Sequence, residues 1–180
     1  MSSPASTRKA LRSLKWSALA AGAAGLTLLG VLGHPSSAAS STLTASDADP
    51  AVANLDPALR AALRLAVADA ADDGVALHVN SGWRSRAHQQ RLLDEAVLEY
   101  GSRAEASRWV ATPDTSPHVG GEAVDIGPVE ASSWLARHGS AYGLCRIYAN
   151  EPWHFELRPA AVDHGCPATY VDAAHDPRLQ

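Results

Sequence analysis

The stretch Ser116-Pro117-His118-Val119-Gly120-Gly121-Glu122-Ala123-Val124-Asp125 decides the reading of this chain. An imidazole and a carboxylate stand seven residues apart. His118 sits in a Pro/Gly loop, and Asp125 sits in the apolar run Ala123–Ile126, which reads as a strand. Gly120 and Gly121 permit a sharp turn, so that both side chains can face one point. A carboxylate inside an apolar strand is costly unless it is paired or bound to a metal.

Downstream lies Glu151-Pro152-Trp153-His154-Phe155, a carboxylate three residues before a histidine among bulky apolar neighbours. Two histidines and one carboxylate make a zinc set with a fourth position open for water. A further carboxylate that is not a ligand can accept the proton of that water. Upstream lies Ser81-Gly82-Trp83-Arg84-Ser85, where a strand runs into a helix. An arginine there can project into a cleft, to bind a carboxylate in bidentate fashion or to stabilise an oxyanion. Each cluster alone has a plainer reading: a loop histidine, a capping Asp125, a solvated Glu151, a surface Arg84. The remaining histidines, His78, His88, His138, His164 and His175, have no such context, although His88 falls near the expected cleft rim. Trp109 and Trp134 read as core.

Around these clusters the pattern is α+β. Asp56 caps a helix with Pro57 in its first turn, and Leu59, Leu63, Ala66, Val67 and Ala70 recur at helical spacing until Gly74. Val75, Leu77 and Val79 alternate as in a half-buried strand. Ser85 caps a second helix that ends near Tyr100-Gly101, and Ser102 with Glu105 forms a capping box for a short third helix through Trp109. Residues 111–121 read as loop. Val129 to His138 reads as a helix, and Leu144–Tyr148 and Trp153–Leu157 as two strands joined by a turn. Helices packed on a small antiparallel sheet follow. The residues after Cys166 carry no pattern.

The first 39 residues stand apart. Arg8, Lys9, Arg12 and Lys15 form a basic head, Trp16–Gly33 is apolar, and Ser36–Ser40 is a small-residue exit, as in a secretory signal peptide. A retained N-terminal anchor is the alternative, since the apolar run nears the ~20 residues that span a bilayer. Either way the remainder lies outside the cytoplasm, secreted or in the cell envelope. Residues 40–53 read as a flexible linker and residues 54–180 as one domain. Without residues 1–39 the chain has 11 basic against 19 acidic residues, a net charge of −8, which excludes a nucleic-acid partner. It also has no lysine, which excludes a lysine base of the Ser–Lys type. Cys145 and Cys166 suit a disulfide in an oxidising compartment; a pair of zinc ligands is the alternative, but their spacing matches no CxxC knuckle.

The three clusters, in order, resemble the signature of the zinc D-alanyl-D-alanine carboxypeptidases of VanY-like type, in the wider group that includes lysostaphin-like enzymes and the Hedgehog signalling domain. The matching stretches are Ser81–Ser85 followed by Gln89, Ser116 to Asp125, and Glu151 to His154, within roughly residues 55–158. The resemblance implies that His118, Asp125 and His154 ligate one Zn2+. It implies Glu151 as general base and then acid, Arg84 as oxyanion or substrate holder, and Ser116 and Gln89 as substrate-site residues. The implied partner is a peptidoglycan stem peptide ending in D-Ala–D-Ala, acted on by a monomer, with membrane contact only through an uncleaved N-terminal segment. Rival readings are a D,D-dipeptidase, an L-Ala–D-Glu endopeptidase (a branch that tends to carry Asp where Glu151 stands), and a non-catalytic zinc-stabilised binding domain. A Cys145–Cys166 bridge would clamp the strand bearing His154 from both sides.

Overall fold

The computed structural model describes residues 48–180. The expected export signal at residues 1–39 lies outside the described residues. Among the described residues, no helix is long and apolar enough to cross a membrane.

Among the described residues, seven α-helical segments pack on one four-stranded antiparallel sheet. They are α1 (Pro50–Ala53), α2 (Pro57–Asp72), β1 (His78–Ser81), α3 (Arg86–Tyr100), α4 (Arg103–Ala106), α5 (Pro117–Gly120), β2 (Ala123–Gly127), α6 (Val129–His138), β3 (Leu144–Arg146), β4 (His154–Leu157) and α7 (Ala161–His164). The strand order is β1-β2-β4-β3. This is the expected fold class.

Helix α2 forms where the periodicity places it. Asp56 accepts from the Ala58 and Leu59 amides, which would otherwise lack partners, and Pro57 occupies the first turn. Its apolar stripe, Leu59, Leu63, Ala66, Val67 and Ala70, is buried against Val124, Ile126 and Phe155 of the sheet and against Trp134 and Leu135 of α6. Along β2 and β4, successive side chains alternate between this core and the opposite face. Val124, Ile126 and Phe155 take the core, which leaves Asp125, His154 and Glu156 for the other side.

Some elements depart from the sequence reading. Of the linker expected over residues 40–53, the described part is ordered: Pro50–Ala53 are helical, Asp49 caps them, and Val52 is fully buried in the core. The first strand starts at His78, not Val75. The third helix stops at Ala106. The loop over 111–121 contains the single turn α5. The strand begun at Leu144 ends at Arg146, after which Tyr148 pairs in parallel with Tyr170. That pairing belongs to the segment after Cys166, which the sequence left without a role. Cys145 and Cys166 form a disulfide, as expected.

Candidate active site

Two backbone facts build the site. In the β2–β4 pairing Asp125 lies directly opposite His154, so both side chains leave the same face. His118 arrives from α5, whose end is set by Gly121 at φ +75°. A Cβ on Gly121 would come within 2.5 Å of the Asn54 carbonyl oxygen, so only glycine fits this approach. Gly82 meets a similar demand, since a Cβ there would sit 2.2 Å from the Ala51 carbonyl oxygen.

The result is a triangle of ligand atoms. His118 Nε2 lies 3.3 Å from His154 Nδ1 and 3.4 Å from Asp125 Oδ1, and His154 Nδ1 lies 3.3 Å from Asp125 Oδ1. A tetrahedral zinc ion with bonds of about 2.0–2.1 Å sets its ligand atoms about 3.3–3.4 Å apart. Asp125 Oδ1 is also buried without a hydrogen-bond partner, as expected of an atom reserved for a cation. These residues therefore fit a zinc ion.

The outward nitrogens of both histidines are held. His118 Nδ1 donates to the Gly82 carbonyl at 2.8 Å, which leaves Nε2 with its lone pair toward the centre. His154 Nε2 lies 3.3 Å from Glu156 Oε1. Burial alone would raise the Asp125 carboxyl, but its attraction to His118 and His154 outweighs it and holds the group well below the usual carboxylate range. Burial lowers His118. For His154 burial acts the same way, but its carboxylate neighbours Asp125 and Glu156 outweigh it and raise the group to about 9.

Glu151 precedes β4, with Oε2 at 3.9 Å from His154 Nδ1 and Oε1 buried without a partner. Burial pushes its carboxyl up to about 7, against the opposing pull of His154. A carboxyl in that range can both take and release a proton at neutral pH. Arg84 closes the opposite side. Its Nε donates to Ser81 Oγ at 2.8 Å, one terminal nitrogen to Gln89 Oε1 at 3.3 Å, and the other to Asp125 Oδ2 at 2.6 Å.

All seven site residues expected from sequence line one cavity of about 430 Å³. Gln89 Oε1 accepts from Arg84, and its Nε2 donates to the Ala111 carbonyl at 2.9 Å. Ser116 is buried at the start of α5, and its hydroxyl makes no capping bond. His88 is exposed and does not line this cavity.

The reading of Trp109 as core is corrected. It stacks on Tyr100 with centroids 5.9 Å apart, remains 37% exposed and lines the cavity. Trp134 is core, as expected. Sequence reasoning also missed Glu156. Its position two residues after His154 on a strand was the available signal, because i and i+2 share a face.

The family model of VanY, D-alanyl-D-alanine carboxypeptidase, matches residues 53–160. A D-alanyl-D-alanine carboxypeptidase of Enterococcus faecalis is 37% identical over 46% of this chain; the match spans 40% of that relative's length. Among solved structures, a mutant of the vancomycin resistance D,D-pentapeptidase VanY from a VanB-type cassette, in complex with Zn(II), is 33% identical. It aligns with 57% of this chain and 72% of its own, at a TM-score of 0.54. VanYB in complex with D-alanine-D-alanine is 31% identical over 62% of this chain and 74% of its own, at 0.57. The LdcB LD-carboxypeptidase is 26% identical over 59% of this chain and 61% of its own, at 0.52.

Proposed function

The chain belongs to the VanY family of D-alanyl-D-alanine carboxypeptidases, and we propose that it removes the terminal D-Ala from peptidoglycan stem peptides ending in D-Ala–D-Ala, using one Zn2+ per chain. The observation that carries the reading is the buried Glu151 carboxyl beside the His118–Asp125–His154 triangle, with Oε2 3.9 Å from His154 Nδ1 and Oε1 without a hydrogen-bond partner. A purely structural metal site needs no such group. The ligands would be His118 Nε2, Asp125 Oδ1 and His154 Nδ1. Zinc held there supplies Lewis acidity, which makes water acidic and polarises a carbonyl oxygen.

Glu151 takes a proton from the attacking water and delivers it to the departing D-Ala nitrogen. Its place beside the ligand triangle, with Oε1 free of protein hydrogen bonds, suits both halves of that transfer. Arg84, fixed by Ser81, Gln89 and Asp125, presents positive charge to the oxyanion or to the terminal carboxylate. Ser116 lines the substrate site, while Gln89 holds Arg84 in place. The relative in complex with D-alanine-D-alanine supports the substrate class. A cell-wall substrate agrees with residues 1–39 acting as an export signal or anchor, residues 40–180 working outside the cytoplasm as a monomer.

The test is D-alanine release from a pentapeptide ending in D-Ala–D-Ala, with residues 40–180. Release should stop with chelator and return with zinc. Glu151→Gln should keep zinc and lose turnover by at least about 100-fold, the scale of general acid–base catalysis. Zinc-loaded protein that leaves the pentapeptide intact but splits free D-Ala–D-Ala is a dipeptidase instead. One that splits neither overturns the carboxypeptidase reading.

A further inference from the structure

Residues 161–180 lie beyond the family match, yet they reach the metal site from behind. We propose that Arg178 is a positioning residue of the metal centre, holding Glu156 against Nε2 of His154 so that Nδ1 stays turned toward His118 and Asp125. The inference rests on the metal reading of the preceding section.

Glu156 is almost fully buried, and a buried carboxylate needs compensation. Arg178 gives it two contacts: 2.8 Å to Oε2 and 3.4 Å to Oε1, the oxygen that faces His154. Arg158 binds Oε2 from the next turn of chain. Arg178 is itself fixed. Asp176 accepts from its backbone amide at 2.9 Å and its Nε at 2.9 Å, and also binds its terminal nitrogen. The guanidinium also lies over the Tyr170 ring, 5.5 Å from the centroid.

Asp176 makes a second link to the same histidine. Its Oδ2 accepts from the Tyr148 hydroxyl at 3.0 Å, and the Tyr148 ring lies 4.9 Å from the His154 ring. One segment thus contacts both neighbours of His154: Glu156, the acceptor at its outer nitrogen, and Tyr148, the ring at its face. The same segment is pinned beside the approach to Glu151: the Ala149 amide donates to the Tyr170 carbonyl at 2.8 Å, and the Tyr170 amide to the Ile147 carbonyl at 2.9 Å. Arg108 holds the buried Asp172 at 2.9 Å. An acceptor on the outer nitrogen of a ligating histidine fixes its tautomer and orientation, and loss of such a partner typically weakens metal affinity 10–100-fold.

The experiment measures zinc affinity by competition with a chromophoric chelator, and the visible spectrum of the Co2+-substituted protein, for wild type, Arg178→Ala, Arg178→Lys and Glu156→Gln. Circular dichroism of each metal-free variant checks the fold. Arg178→Ala should bind zinc about 10-fold more weakly and shift the cobalt bands. Arg178→Lys keeps the charge but cannot hold Glu156 and Asp176 together, and should fall between. Should Arg178→Ala fail to fold, Arg178→Lys and Glu156→Gln decide alone: both should weaken zinc. Folded variants with wild-type affinity and spectrum overturn the inference and leave the metal reading intact. Wild-type protein that binds no zinc overturns both.

Discussion

Breaking the Cys145–Cys166 bridge tests how the fold holds the segment behind the candidate metal site. The two cysteines are 21 residues apart and join β3 to the start of that segment. In the loop-entropy description, a cross-link closing a loop of this length removes about 11 cal/mol/K from the unfolded chain, or about 3 kcal/mol at 25 °C. The described domain has about 130 residues, which gives an unfolding entropy of roughly 0.28 kcal/mol/K. Dividing one by the other predicts a fall in Tm of about 11 °C for the double variant Cys145→Ala/Cys166→Ala. In urea the midpoint should fall by about 1–3 M, since m for small proteins is about 1–3 kcal/mol/M. The slope should rise slightly, because the uncrosslinked chain exposes more surface. Trp134, buried in the core, supplies the fluorescence signal. Reduced wild type should follow the curve of the double variant. Superimposable curves for oxidised and reduced wild type, or a loss below about 1 kcal/mol, would refute the entropic argument.

Other perturbations probe other parts of the molecule. Gly121→Ala forces a left-handed backbone onto a residue with a Cβ and drives it toward the Asn54 carbonyl; it should cost at least about 1–2 kcal/mol in urea unfolding and weaken zinc in a chelator competition by displacing His118. Trp109→Ala removes an exposed ring from the cavity wall; it should raise KM for the pentapeptide about 2–10-fold, on the scale of one aromatic contact, with kcat nearly unchanged. Burial and the bond to Asp69 raise the Tyr142 hydroxyl to about 12, so its neutral form is favoured in the folded state. That contribution is complete below the ordinary value near 10 and is lost as pH climbs through about 12. Tyr142→Phe should therefore flatten the decline in stability between those limits, measured by urea midpoints across the alkaline range.

The sequence alone singled out the candidate site residues and most of the scaffold. Local signals carried that information. Asp56 and Ser85 cap their helices because their side chains accept amides two or three residues ahead, and the α2 stripe is an apolar face at helical spacing. His118, Asp125, Glu151 and His154 stood out because ionisable groups in apolar or Gly/Pro-rich surroundings need a reason. What the tertiary structure decided was adjacency. That Asp125 faces His154 depends on the register of two strands, and a slip of one residue would turn the carboxylate into the core. Trp109 escaped the reading because composition does not tell a cavity wall from a core. The segment after Cys166 escaped it for a different reason. Asp172, Asp176 and Arg178 have no periodicity, and their partners Arg108, Tyr148 and Glu156 lie 20 or more residues away along the chain. Long-range pairing of charged groups leaves no local pattern in a sequence, so only the folded chain shows that this segment stands behind the histidine that the motif made conspicuous.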